Sequence, residues 1–250
     1  FPHLLQALIG DAGWRAPMLV ASGLTLSAGA LVIGIVRDGP YVPATSPFDP
    51  RAAFRLFTTP GAREATFGYL GHMWELYAMW TWVAAFASAS LVAAGSADPG
   101  RGGSIVAFVA IASGTVGCVA AGWLGDRVGK ARVAAAAMVV SGACCAITPL
   151  AYGAPAAILV VLVSVWGFAV VADSAQFSAL VAEHSERNHV GTALTVQTCL
   201  GFLLTIVTIR LTPAVADAIG WRWAFLLLIP GPVAGVLALR PLMRSRGRGR

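Results

Sequence analysis

Apolar positions along this chain come in long unbroken runs, without the alternation of strands or the narrow stripes of surface helices. The runs cover 16–36, 67–94, 104–124, 133–152, 156–181, 190–215 and 223–243. A helix of about 20 apolar residues spans the hydrocarbon core of a bilayer. The pattern therefore predicts seven transmembrane helices in an all-α, polytopic membrane bundle. The runs are rich in small residues, as in Ala112-Ser113-Gly114-Thr115-Val116-Gly117. Small residues let helices approach closely where lipid supplies no hydrophobic drive for association, so the helices are predicted to pack on one another.

One connection is long. The stretch 37–66 carries Pro40, Pro43, Pro47, Pro50 and Pro60 with four arginines. Proline at that density blocks a long helix, which leaves a linker with a short amphipathic stretch at Phe54–Phe57. Composition agrees with a lipid solvent: 58% of residues are hydrophobic and 11% charged, where soluble domains carry about 25% charge. Cys118, Cys144, Cys145 and Cys199 all lie within apolar runs and are read as small packing residues. They form no metal-ligand spacing.

The net charge of +6 reads as topology, not nucleic-acid binding. If the runs cross the membrane in turn, 13 of the 17 basic residues fall on one side and 4 on the other. The positive-inside rule puts that richer side, with the linker and the C-terminal tail, in the cytoplasm, and the expected location is the inner membrane. Gly13-Trp14-Arg15 before the first run and Gly220-Trp221-Arg222 before the last repeat each other, and each follows an acidic residue, Asp11 or Asp217. The repeat predicts two homologous membrane halves. On that reading, 1–36 ends the first bundle, 37–66 is the inter-bundle linker, 67–243 is a six-helix bundle and 244–250 a basic tail. Phe1–Ile9 looks like the end of an apolar stretch without the charged start of a secretory signal, so the chain reads as truncated there.

Gly122, Leu124, Asp126, Arg127, Gly129 and Lys130, with Arg132 one place late, resemble the loop motif of the major facilitator superfamily. In that superfamily the motif joins the second and third helices of each half, which is its place here. Residues 68–80, 173–180 and 191–213 resemble the C-terminal half of a group of bacterial permeases of the same superfamily. The resemblance implies a twelve-helix fold of two bundles, a central substrate cavity and alternating access. It also implies a partner in the N-terminal half of the same protein. Within the motif, Gly122 is expected to allow close packing and Gly129 a tight turn. Asp126 is expected near the start of the next helix, where negative charge is favoured. Arg127, Lys130 and Arg132 are expected to pair with Asp126 or a neighbouring helix end.

Ionisable residues within apolar helices are costly and mark pathways or proton relays. His72 and Glu75 are three apart and share a helix face, a face continued by Leu76 and Met79. Histidine titrates near neutral pH, so the pair suits proton uptake or solute binding; a structural hydrogen-bonded pair is the rival. Asp173 and Gln176 are also three apart, and they line a cavity or fix helix packing. Among Thr195, Gln197, Thr198, Thr205 and Thr208, only Gln197 is a pathway candidate, since threonines satisfy themselves on the preceding turn. Trp74, Trp80, Trp82 and Trp166 are read as packing or interface anchors. Two ligands without a third cluster make His72-x-x-Glu75 a poor metal site. No cofactor is implied, and no phosphate-cradling loop suggests an ATPase. Gly231-Pro232-Val233-Ala234-Gly235 is read as a kink in the last helix.

The residues thus point to a secondary active transporter of a small solute or ion, coupled most simply to protons, with His72, Glu75 and Asp173 on the pathway. A membrane enzyme using the same three residues as acid–base groups and a non-transporting sensor are the rivals.

Overall fold

The computed structural model describes residues 15–37 and 50–245, with side chains left undescribed at 50–52 and 245. Phe1–Ile9, Asp11, Gly13 and Trp14 of the repeat, the prolines at 40, 43 and 47, and the tail arginines 246, 248 and 250 lie outside the described residues. So do the side chains of Pro50 and Arg51. Helices α1 (Arg15–Ile35), α2 (Pro50–Thr58), α3 (Ala62–Ala93), α4 (Pro99–Val128) and α5 (Lys130–Ala151) come first. They are followed by α6 (Ala156–Ala172), α7 (Ser174–His184), α8 (Val190–Ile219), α9 (Trp221–Ala224) and α10 (Pro230–Ser245). No strand occurs among the described residues.

Among those residues, seven spans are long and apolar enough to cross a membrane, matching the seven runs. Two are composite. Helices α6 and α7 meet at Asp173, and α9, a 3₁₀ turn at Phe225–Leu228 and α10 make up the last span. The spans outrun the apolar stretches: α3 starts at Ala62, inside the stretch read as linker, and its 32 residues reach about 48 Å. The amphipathic stretch is there too, as α2, with Leu56 buried at 2% exposure and Phe54 exposed at 74%.

Helix α3 is central and packs on α4, α8, α10 and α7. Helix α1 buries none of its residues. Large apolar side chains such as Leu26, Ile33, Val119, Leu150 and Leu203 are exposed, the surface expected of a protein bathed in lipid.

Small residues set the closest approaches. A Cβ on Gly167 of α6 would lie 1.7 Å from the Ala110 carbonyl oxygen of α4, and one on Gly117 of α4 would lie 2.1 Å from the Phe168 carbonyl oxygen. The same device joins α3 to α10, where a Cβ on Gly71 would lie 2.4 Å from the Gly231 carbonyl oxygen and one on Gly231 would lie 2.5 Å from that of Gly71. The Gly-Pro-Val-Ala-Gly segment, expected to be a kink, is regular helix in the first turns of α10 and a contact surface for α3; the irregularity lies before it, in the 3₁₀ turn at Phe225–Leu228.

Prolines inside membrane helices free carbonyl groups that lipid cannot satisfy. Pro213 cannot donate to the carbonyl of Ile209 one turn earlier, and Trp82 Nε1 donates to it at 2.9 Å. Pro149 leaves the Cys145 carbonyl, and Thr148 Oγ1 donates to it at 2.7 Å. Arg222 Nε donates to the Pro149 carbonyl at 3.0 Å near the end of α5.

The apolar interior comes in two main lobes. One gathers Phe86, Cys145, Trp166 and Phe225, the other Tyr69, Met138, Phe177 and Leu239. Along α3, α5 and the α6–α7 span, the change from one lobe to the other falls at His72 and Glu75, at Ser141 and at Asp173. Ser141 lies midway along α5, a 22-residue helix whose length of about 33 Å matches the hydrocarbon core.

The close approach of α4 and α6 predicts that Gly167→Ala lowers the melting temperature of the detergent-purified protein by several degrees. Gly122→Ala should leave it unchanged or raise it slightly, because nothing lies within 4 Å of its added Cβ and alanine favours a helix by about 1 kcal/mol. Equal melting temperatures for the two variants would show that α4 and α6 do not meet at Gly167.

Candidate functional site

Burial at the level of Ser141 brings four helices together around two groups. Glu75 of α3 is 1% exposed. Its Oε1 accepts from Trp166 Nε1 of α6 at 2.6 Å and from Cys145 Sγ of α5 at 3.3 Å. Its Oε2 accepts from Ser141 Oγ of α5 at 2.9 Å. Indole N–H can only donate, and a thiol is a weak donor, so the pocket is built for an acceptor. Ser141 Oγ also lies 3.2 Å from the Met138 carbonyl oxygen, which gives its proton a second place to go.

His72 lies one helical turn away. Its Nδ1 is 2.9 Å from Asp173 Oδ1, with side chains 1% and 2% exposed. The approach is too oblique for a full hydrogen bond, so the contact is a close polar pair. Nε2 lies 2.9 Å from Ser174 Oγ. Asp173 ends α6 and precedes the first residue of α7, and the Tyr69 and Phe177 rings flank the imidazole with centroids at 6.1 and 5.6 Å.

The structure regroups the residues that spacing had paired. His72 and Glu75 have different partners, and the Leu76 and Met79 side chains go into the apolar lobe around Phe86. Gln176 sits against the loop motif instead of beside the Asp173 carboxyl: a Cβ on Gly125 would lie 2.6 Å from Gln176 Oε1. Gln197 is buried on α8 with neither amide atom hydrogen-bonded.

The loop motif turns on Gly129 alone, whose φ of 103° favours glycine. Lys130 pairs with Glu183 of α7 at 2.6 Å. Arg132 Nη2 reaches the Met243 carbonyl of α10 at 3.5 Å. Arg127 lies over the Trp123 ring at 3.6 Å. Lys130 and Arg132 thus meet neighbouring helix ends, as one of the two expected pairings has it, whereas Arg127 stays on Trp123 of its own helix. Two expectations for the motif fail. Asp126 is exposed in the last turn of α4 and not at the start of α5, because the helix runs on to Val128. A Cβ on Gly122 would meet nothing within 4 Å, whereas one on Gly125, three residues later, would run into Gln176, so Gly125 is the glycine held close.

A family model described as Major Facilitator Superfamily matches residues 92–249. The chain belongs to this superfamily. It is therefore a multi-pass membrane protein of a transporter family. The match takes in the loop motif and Asp173 and begins beyond His72 and Glu75. No curated protein matches the chain closely enough to count as a relative.

Sequence reasoning missed Ser141, Cys145, Trp166 and Ser174 as members of these clusters. Ser141 and Cys145 are four apart, so they share a face of α5, and this was a readable signal. Trp166 carried no such signal, because an indole in an apolar run is usually a packing residue.

The Trp166–Glu75 bond predicts that Trp166→Phe destabilises the protein by about 1–3 kcal/mol, the range for a buried acceptor that loses a donor. In the Glu75→Gln background, the same substitution should cost less. A thermal-unfolding double-mutant cycle measures the difference, and zero coupling would remove the bond from the account.

Proposed function

We propose that this superfamily member is a secondary active transporter of a small solute, coupled to protons, working by alternating access. The observation that carries the reading is the set of ionisable groups buried across the bundle: Glu75 with its three donors, and His72 against Asp173. Charged groups at such depth are expensive, and helix packing could have been met by uncharged residues. Secondary transporters place their substrate and coupling-ion sites near this level.

The partners suit both protonation states. With Glu75 ionised, Ser141 donates to it. With Glu75 protonated, the carboxyl donates to Ser141 Oγ, whose own proton turns to the Met138 carbonyl. His72 faces Asp173 and Ser174 through its two ring nitrogens. All three side chains are closed off in this state, so substrate and proton reach them only when the bundle opens on one side.

Helix α7 is the mechanical link in this proposal. It starts at the Asp173 break, touches Gly125 through Gln176 and ends at the Glu183–Lys130 pair. A change at His72–Asp173 that shifts α7 would move both its contacts to the loop motif. Gln197 lines the same pathway from α8. We assign 62–243, from the start of α3, to one six-helix bundle, the preceding residues, from 37 on, to the linker, 244–250 to a basic tail and α1 to a facing bundle, an assignment supported by the lack of any buried residue in α1. The loop-motif face and the tail are proposed to be cytoplasmic and the membrane the inner one, from the asymmetry of basic residues.

The full-length protein in liposomes with an internal pH dye should show solute-dependent proton flux. Glu75→Gln and Asp173→Asn should each lower that flux at least tenfold while leaving insertion and melting temperature near wild type. Normal flux in either variant would return that residue to a packing role. Absence of flux with every solute pool, from folded and inserted protein, would overturn the transport reading.

A further inference from the structure

The seam between α5 and α10 is unlike the rest of the lipid-facing surface. An apolar groove of about 300 Å³ runs along it, lined on α5 by Val139 and Ala143 and on α10 by Pro232, Val233 and Leu237, and it ends at Arg240. Val139, Val233 and Leu237 are exposed, so the groove opens outward to the bilayer. From Ile229 to Arg240 it runs about 16 Å, about half the hydrocarbon thickness and so the depth of one leaflet.

The charged end is built from more than one residue. Arg244 follows Arg240 by four positions and shares its helix face. Arg132 of α5 donates to the Met243 carbonyl, which puts its guanidinium beside the same turn of α10. None of the three makes an ion pair among the described residues, and the nearby Glu183 is engaged by Lys130. Three guanidinium groups without carboxylates, at the end of a one-leaflet groove, complement a phosphate carrying an acyl chain.

We propose that the α5–α10 seam binds an anionic phospholipid of the surrounding membrane. One acyl chain lies against Val139, Ala143, Val233 and Leu237. Arg240 holds the phosphate, with Arg132 and Arg244 completing the charge. The site is independent of the buried Glu75 and His72 clusters, and neither of them takes part in binding.

The test uses full-length protein, stripped of lipid in detergent and then offered phosphatidylglycerol or phosphatidylcholine of the same acyl length, with retained lipid counted by native mass spectrometry. Phosphatidylglycerol should be retained in preference. Arg240→Gln should weaken its retention about fivefold and weaken that of phosphatidylcholine, whose choline offsets the phosphate charge, by less. Ala143→Trp, which fills the groove, should weaken retention of both lipids without altering the melting temperature. Equal retention of the two lipids by the wild type, or unaltered retention by Arg240→Gln, would overturn the proposal. A change of oligomeric mass in Ala143→Trp with no lipid preference in the wild type would overturn it too, and would give the groove to a second copy of the chain.

Discussion

A carboxylate closed off inside an apolar bundle must find donors, because neither water nor lipid can supply them. That constraint on Glu75 organises the middle of this protein. It needs a donor from α6 and two from α5 at one level, which fixes the register of both helices against α3. His72 and Asp173 impose a second constraint of the same kind between α3 and the joint of α6 and α7. The apolar lobes on either side are built of Leu, Met, Phe and Ala side chains that many registers would bury equally well. The polar level between them is where one register is specified.

Close packing follows from a different requirement. Helices in lipid gain little from burying apolar surface, so contact must come from backbone approach and from hydrogen bonds. Glycine at Gly71, Gly117, Gly167 and Gly231 supplies the approach. The hydrogen bonds go to carbonyls that proline has freed, and Trp82 with Ile209 shows how a side chain that resembles an interface anchor satisfies a buried backbone group. The arrangement leaves α3 tied to α8 by the Trp82 indole, to the 3₁₀ turn before α10 by the Trp74 indole, which donates to the Leu227 carbonyl, and to α5 through Glu75.

Much of this was legible in the sequence. Seven spans, the amphipathic stretch and the one-residue turn at Gly129 all follow from hydropathy, spacing and glycine chemistry. His72, Glu75, Asp173 and Gln197 were found because charge or amide polarity within an apolar run is conspicuous. Their partners were not, since Ser141 and Cys145 are ordinary members of a small-residue helix and Trp166 is apolar on most of its surface. Spacing within one helix also suggested the wrong pairs, for it gives the face of a residue and not the helix that the face meets. The same limit applies to Gly122 and Gly125, whose difference lies entirely in whether α7 passes by.

Helix α7 is only eleven residues long, yet it touches His72, Gly125 and Lys130 and starts at Asp173. Its first turn contains Ser174, its second face carries Gln176 onto Gly125, and its end holds Glu183. A packed element of this kind cannot shift by a fraction of its contacts, because neighbouring side chains at crystal-like density offer a few discrete arrangements and not a continuum. On the function proposed above, a proton or solute that alters the His72–Asp173 contact favours either the present position of α7 or a different one. The exposed Lys130–Glu183 pair contributes little energy to that choice, which leaves the buried polar level as the part able to decide it.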